Sequence, residues 1–237
     1  MRNILITICG RGGSVGIPKK NIRLLNGKPL IAYTIQFAQQ LRQIYNAEIA
    51  LSTDCSEIKN VAKEYGLETE YIRPLELASN HSGKIDVITH ITEYVESKLN
   101  VKFDYIVDLD ITSPIRTAED IKNAFNKLIE NPEAINIFSV NAANRNPYFN
   151  MVEELENGYV KLVKSTSGII RRQDAPNVYD MNASFYIYKK SFFEDKYTSA
   201  ITKKSLIYEM DHICFDIDHE IDFQIMEFLL TNKLIQL

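Results

Sequence analysis

Cysteine is scarce: Cys9, Cys55 and Cys214 form an odd, scattered set. No disulfide framework is implied, and a reducing compartment fits. Neither they nor His81, His90, His212 and His219 have the spacing of a zinc site. The histidines show no catalytic partner spacing and read as surface or helix residues. No apolar run approaches the roughly 20 residues that span a bilayer. The start, Met1–Ile8, is too short for a signal peptide and has no cleavage site. The cytoplasm is therefore the expected location, without a membrane partner. There is no excess of positive charge either. Against 31 Asp and Glu stand 27 Lys and Arg, a net charge of −4, which argues against a general nucleic-acid binder. Internal repeats, low-complexity segments and linkers are missing as well. What remains is ordinary for a soluble globular protein: 237 residues, 45% hydrophobic and 24% charged. That is enough for one domain over 1–237, with a lobe embedded at about 141–180.

What is present is organised around Ile4 to Asn21. The apolar run Ile4-Leu5-Ile6-Thr7-Ile8 has the length and β-branching of a buried strand. It breaks into Gly10, Gly12, Gly13 and Gly16, with Arg11, Lys19 and Lys20 among them. Glycines let backbone N–H groups approach an anion closely, and the cations neutralise it, so the pattern suits phosphate. It is neither a P-loop nor the dinucleotide fingerprint, whose third glycine position holds Val15. A plain flexible turn rarely carries this many glycines and cations.

The rest alternates. A helix is expected from Pro29 to Ala38, with Leu30, Ile31, Thr34, Ile35 and Ala38 inward. A strand follows over Ala47–Ser52, a helix over Ser56–Tyr65 closed by Gly66, and a short strand over Glu68–Ile72. Lys84–Lys98 reads as a helix, Tyr105–Leu109 as a strand, Ala118–Ile129 as a helix and Ala134–Val140 as a strand. This order predicts an α/β fold: three αβα layers around a mostly parallel sheet. Ligands of such sheets sit beyond the carboxyl ends of the strands, where the Gly10–Lys20 loop, Thr53-Asp54 and Asp110–Arg116 all fall. Asn157-Gly158 between two apolar-rich segments signals a hairpin that leaves the main sheet. Ser184–Tyr188 returns as a strand. A closing helix, Ile221–Leu230, is read with Ile221, Ile225, Phe228 and Leu229 as its stripe.

Two acidic stretches carry chemistry. In the strand ending at Leu109, Asp108 and Asp110 share one face. A carboxylate at the end of a buried strand is costly unless paired or metal-bound. Asp110 either serves a substrate or caps a turn through its side chain. Asp108-Leu109-Asp110 also resembles the metal-binding D-x-D of nucleotide-sugar glycosyltransferases. In Phe215-Asp216-Ile217-Asp218-His219-Glu220-Ile221-Asp222, extended chain would point Asp216 and Asp218 the same way. Two such oxygens suit Mg²⁺, which also takes phosphate oxygens. The structural alternative makes Asp218 a helix N-cap and Asp222 a partner of the helix dipole.

The chain resembles the cytidylyltransferases that activate sialic acid and related nonulosonic acids. Their loop pattern, A-R-x-G-S-K-G-[IL]-P-x-K-N, is met by Gly10-Arg11-Gly12-Gly13-Ser14-Val15-Gly16-Ile17-Pro18-Lys19-Lys20-Asn21, with Val15 in the place of a lysine. Further matches are Arg73-Pro74 with Leu77-Ala78, Thr112-Ser113-Pro114 with Arg116, Arg172-Gln173 with Pro176, and Asp216, Asp218 and Asp222. The match thus runs along almost the whole chain. Asp110 replaces a glutamine that faces the sugar in the family. Asn144–Asn150 and Tyr179-Asp180-Met181-Asn182-Ala183-Ser184 look most like the legionaminic-acid branch.

The resemblance implies a sheet of the nucleotide-diphospho-sugar transferase, Rossmann-like type. It implies transfer of CMP from CTP to a nonulosonic acid, with Mg²⁺ or Mn²⁺ on Asp216 and Asp218. Arg11, Lys20 and Asp218 would be catalytic. Arg11, Gly12, Gly13, Ser14, Lys20, Asn21, Arg73 and Lys84 would bind nucleotide. Asp110, Thr112, Ser113, Arg172, Gln173, Tyr179 and Asn182 would bind the sugar acid, Arg172 through its carboxylate. The inserted hairpin would form a homodimer contact. Rival readings are an octulosonate (KDO) cytidylyltransferase, a guanylyltransferase, a D-x-D glycosyltransferase, or a module that binds CTP without turnover.

Overall fold

The computed structural model describes residues 2–13, 16–79, 82–165, 168 and 171–237. The expectations for Ser14, Val15 and His81 fall outside the described residues. The first strand, β1 (Ile4–Cys9), leads through the glycine loop to a small hairpin, β2 (Leu24–Leu25) and β3 (Lys28–Pro29). Then come α1 (Leu30–Tyr45), β4 (Glu48–Ser52), α2 (Ser56–Glu64), α3 (Lys84–Leu99), β5 (Tyr105–Leu109), α4 (Ala118–Glu130) and β6 (Asn136–Ala142). The second hairpin is β7 (Val152–Glu154) and β8 (Val160–Leu162). The chain ends with β9 (Tyr179–Lys189), α5 (Lys190–Glu194), β10 (Ser205–Glu209) and α6 (Glu220–Thr231).

Six strands form one sheet in the order β10-β6-β9-β5-β1-β4. β1 runs parallel to β4 and β5, and β10 parallel to β6; β9 lies antiparallel between β5 and β6. The sheet is thus mostly parallel, with one reversed strand. Side chains alternate across it. Ile4, Ile6 and Ile8 join the large cluster under α1, α4 and α6, whereas Leu5, Ala50 and Ile106 face α3. β1 is the strand at which the order reverses, because β4 and β5 flank it on opposite sides. A ligand crevice is expected there. Register places Ile8 beside both Leu51 and Leu109, so the loops after β1, β4 and β5 leave the sheet at one level.

Three expectations are corrected. Residues 68–72 form no strand. Thr69 instead donates through Oγ1 to the Leu51 carbonyl and accepts the Tyr71 N–H, so side chains replace a ladder beside edge strand β4. β10 has no counterpart in the sequence reading, and β9 begins at Tyr179 rather than Ser184. In α6, Phe223 and Met226 are buried, while Ile221, Ile225 and Phe228 are exposed. Apolar residues surround that helix, so its periodicity does not choose the inward face.

Candidate active site

The glycine loop is pinned from both sides. Gly10 N–H donates to the Ser52 carbonyl at 3.0 Å, and Gly12 N–H to Asp54 Oδ1 at 2.9 Å. Asn21, buried behind the loop, donates from Nδ2 to the Arg11 carbonyl at 3.0 Å. At two glycines the reason is close approach. A Cβ on Gly12 would lie 2.9 Å from Cys55 Cβ, and one on Gly16 would strike the Asp218 carbonyl oxygen. Lys20, almost buried, donates to the Ile217 carbonyl at 2.6 Å and to Asp218 Oδ1 at 3.0 Å. The loop after β1 is therefore fastened to the acidic segment that precedes α6.

Arg11, Gly12, Gly13, Lys19 and Asn21 line a cavity of about 410 Å³, closed on its other side by Asp54, Cys55 and the first turn of α2. Arg11 Nη1 also reaches the Ser79 carbonyl at 3.5 Å. Four of the residues expected to bind nucleotide thus meet in one cavity. Arg73 does not join them. It is buried, with Nε and Nη2 donating to Ser52 Oγ and its carbonyl at 2.9 and 2.8 Å, so it braces the end of β4.

Beside this cavity stands a charged cluster. Lys84 Nζ lies 2.9 Å from Asp108 Oδ2 and 2.6 Å from Asp110 Oδ2. Asp108 Oδ1 accepts from Thr7 Oγ1 at 2.7 Å. Asp110 Oδ1 accepts from Thr112 N and Oγ1 at 2.9 and 2.8 Å. The turn-capping alternative for Asp110 therefore holds for one oxygen, while the other is ion-paired. Burial opposes the Asp110 charge, but the charge and hydrogen bond of Lys84, with the Thr112 bonds, pull its pKa down to about 2. Lys84, expected on the nucleotide, has its ammonium on these two carboxylates. Beneath them Arg116 is buried, donating to the Asp110 and Ser184 carbonyls and to Thr34 Oγ1. Burial draws its pKa to about 10.

Asp216 and Asp218 take different partners. Asp216 Oδ1 accepts from Ser113 Oγ and lies 3.3 Å from Thr112 Oγ1, whose proton goes to Asp110; Asp218 is largely exposed and faces Lys20. The segment is no paired strand, since Ile213 is exposed and Cys214 buried, so the alternation read from the sequence fails. Burial raises the Asp216 pKa, the Ser113 hydrogen bond opposes this, and the charges of Asp110 and Asp218 add to it. Asp218 is not the N-cap of α6 either: His219 is. Asp222 Oδ2 accepts the N–H groups of Asp218 and His219 at 3.0 and 2.7 Å, which makes Asp222 the structural acid. Among the described residues no group of three or more His, Cys, Asp or Glu could hold a metal by itself.

The expected sugar residues divide. Asp110, Thr112 and Ser113 join the cluster. Asn182 is buried at the bulge between β6 and β9, its Oδ1 accepting from Ser139 Oγ and its Nδ2 donating to Asn141 Oδ1, at 2.6 and 2.7 Å. Both ends of its amide thus have protein partners. Arg172 and Gln173 line a separate groove of about 360 Å³, and Arg172 donates to the Ala143 carbonyl at 3.1 Å. Tyr179 belongs to the adjoining groove, with Arg145 and Met151. Sequence reasoning missed the ion pair between His212 Nε2 and Asp120 Oδ2, at 2.9 Å. Its readable signal was Thr117-x-x-Asp120, a capping box at the start of α4.

A family profile described as Cytidylyltransferase matches residues 5–235. The chain belongs to this cytidylyltransferase family. It is 41% identical over 235 residues to CMP-N,N'-diacetyllegionaminic acid synthase of Campylobacter jejuni, covering 98% of this chain and 97% of that one. It is 40% identical over 238 residues to post-translational flagellin modification protein B of Campylobacter coli, covering 100% and 98%. A CMP:2-keto-3-deoxy-manno-octonic acid synthetase solved with CTP superposes with a TM-score of 0.70. It shares 16% identity, and the match covers 98% of this cytidylyltransferase and 99% of that chain. At that identity the likeness speaks for the fold alone.

Proposed function

We propose that this cytidylyltransferase converts CTP and a nine-carbon 2-keto sugar acid of the legionaminic type to the CMP-sugar and pyrophosphate. The observation that carries this reading is the junction of Lys20 with Asp218. It sets a phosphate-suited loop against a carboxylate cluster at the crevice where the strand order reverses. The relatives point to the sugar class. The triphosphate takes the loop cavity and extends from it toward Asp218, where Arg11, on the cavity wall, and Lys20, beside Asp218, offset charge that gathers on it. The sugar acid approaches from the side of Asp110 and Thr112. Its anomeric hydroxyl oxygen bonds to the α-phosphorus as the bond from that phosphorus to the oxygen bridging to the β-phosphorus breaks in line; pyrophosphate leaves, and the hydroxyl proton passes to solvent. Orientation supplies much of the rate.

Asp216 and Asp218 fit a divalent cation shared with the substrate. Mg²⁺ is commonly held by one or two carboxylates together with phosphate oxygens, so a larger protein donor set is not required. When bound, such a cation, Mg²⁺ or Mn²⁺, screens the phosphates. A homodimer through the hairpin is proposed because Val152, Tyr159 and Val160 stand exposed on it. The cytoplasm is proposed because all three cysteines are free.

The test is pyrophosphate release with a panel of nonulosonic acids and each of the four nucleotides. The expected result is a preference for CTP and a legionaminic-type acid. Preference for an octulosonate or for GTP would move the chain to another nucleotidyltransferase class, and CTP binding without release would make it a non-catalytic module.

A further inference from the structure

Lys84 occupies the first position of α3, where the positive end of the helix dipole disfavours a cation. Its ammonium nevertheless turns to Asp108 and Asp110 and lies 5.2 Å from the Tyr186 ring centroid. Asp108 is fully buried, and Lys84 neutralises the oxygen that Thr7 does not reach. The D-x-D pair therefore already holds a cation, supplied by the chain. A carboxylate offers about four acceptor sites and an ammonium three donors. Among the described residues, Asp110 accepts from Thr112 N, Thr112 Oγ1 and Lys84, and Lys84 donates to Asp110 while pairing by charge with Asp108. One acceptor site on Asp110 and up to two donors on Lys84 remain, on side chains that are 20% and 36% exposed.

We propose that Lys84 and Asp110, in a cluster with Asp108 that the buried Arg116 brings to net neutrality, form one donor–acceptor unit that reads an uncharged polar substituent of the sugar acid, a hydroxyl or acylamino group, with Lys84 as the positioning residue. This rests on the proposed function. A second anion on the substrate at this point would face Asp110, and a cation would face Lys84, so the unit selects against both. Burial opposes the charge on Lys84, yet the carboxylates hold its pKa well above the ordinary value. The ammonium is thus no general base, and its role is to aim Asp110 and share in recognition. Neither residue lines the loop cavity, so the effect belongs to the sugar and not to CTP.

The experiment measures calorimetric affinity for CTP alone and for N,N'-diacetyllegionaminic acid in the presence of CDP, which fills the nucleotide site without reacting. Wild type is compared with Lys84→Met, Lys84→Arg, Asp110→Asn and the Met/Asn double variant. Lys84→Met and Asp110→Asn are each expected to weaken sugar binding at least about tenfold and CTP binding less than about twofold. The double variant should lose no more than the worse single one, and Lys84→Arg should recover part of the loss. Equal losses for CTP and sugar, or multiplied losses in the double variant, would overturn the inference. Should Lys84→Met fail to fold, Asp110→Asn keeps the Lys84–Asp108 pair, and unchanged sugar affinity there overturns it as well. A wild-type protein that binds neither ligand would refute the proposed function itself.

Discussion

The Lys20 ammonium lies 3.0 Å from the Asp218 carboxylate and 2.6 Å from the Ile217 carbonyl, joining the first loop to the last across 197 positions. Asp218 is exposed, and the N-terminus of α6 is served by Asp222. Asp218→Asn should therefore change stability by no more than about 0.5 kcal/mol. It should cut pyrophosphate release by at least about tenfold, partly restored by extra Mg²⁺, because asparagine keeps an oxygen ligand. Thermal midpoint and a Mg²⁺ titration of the rate check this. Wild-type turnover would remove Asp218 from the site.

Arg11 lines the loop cavity, and a charge-assisted hydrogen bond to phosphate is worth roughly 1.5–3 kcal/mol. Arg11→Ala should raise KM for CTP by about one to two decades and leave KM for the sugar acid nearly unchanged. Steady-state kinetics at limiting CTP decide. Unchanged values would make Arg11 a loop residue only.

Gly16 has no room for a side chain, because the Asp218 carbonyl stands where its Cβ would go. Gly16→Ala must push the loop and the acidic segment apart, and that contact is backbone, which yields little. Turnover should fall by about two decades, as expected when reacting groups move by an ångström, with the fold retained by circular dichroism. Full activity would show that the two loops need not meet.

The sequence is legible where the pattern has one solution. β1, β5 and α2 to α4 fall within a residue or two of their expected ends, because each carries a single apolar period and a clear stop. The faces of Asp108 and Asp110 also follow from alternation. The inward face of α6 is hidden, since Phe223 and Met226 compete with Ile221, Ile225 and Phe228. Asn182 and Arg73 read as ligand contacts because buried amides and guanidinia look like functional ones in a sequence. Only their partners, Ser139, Asn141 and Ser52, tell the two apart. For a long-range ion pair such as His212 with Asp120, the local signal, a capping box, marks Asp120 but not its distant partner.

That pair fixes the start of α4 to the segment leading into Asp216, and it predicts a pH window. Burial opposes the His212 charge, but the Asp120 hydrogen bond, the Ile213 carbonyl at 3.1 Å and the charges of Asp120 and Asp211 outweigh it, raising the pKa. Burial likewise opposes the Asp120 charge, and hydrogen bonds from His212 and Thr117 lower its pKa. A raised histidine contributes stability in full below its unfolded value, about 6.5, and loses it as pH climbs through the folded value. A lowered aspartate contributes above about 3.9 and loses it as pH falls. The pair therefore stabilises most between about pH 4 and pH 6.5. His212→Gln should lower the thermal midpoint there by a few degrees, the shift expected for about 1 kcal/mol in a chain of this size. The gap to wild type should narrow as pH climbs past the ordinary histidine value of about 6.5 and through the raised one, because a neutral imidazole has one N–H for its two acceptors and no charge to set against Asp120. Melting curves of both proteins from pH 4 to pH 9 test this, and a gap that stays constant across that range would mean that the imidazole acts through packing and not through charge.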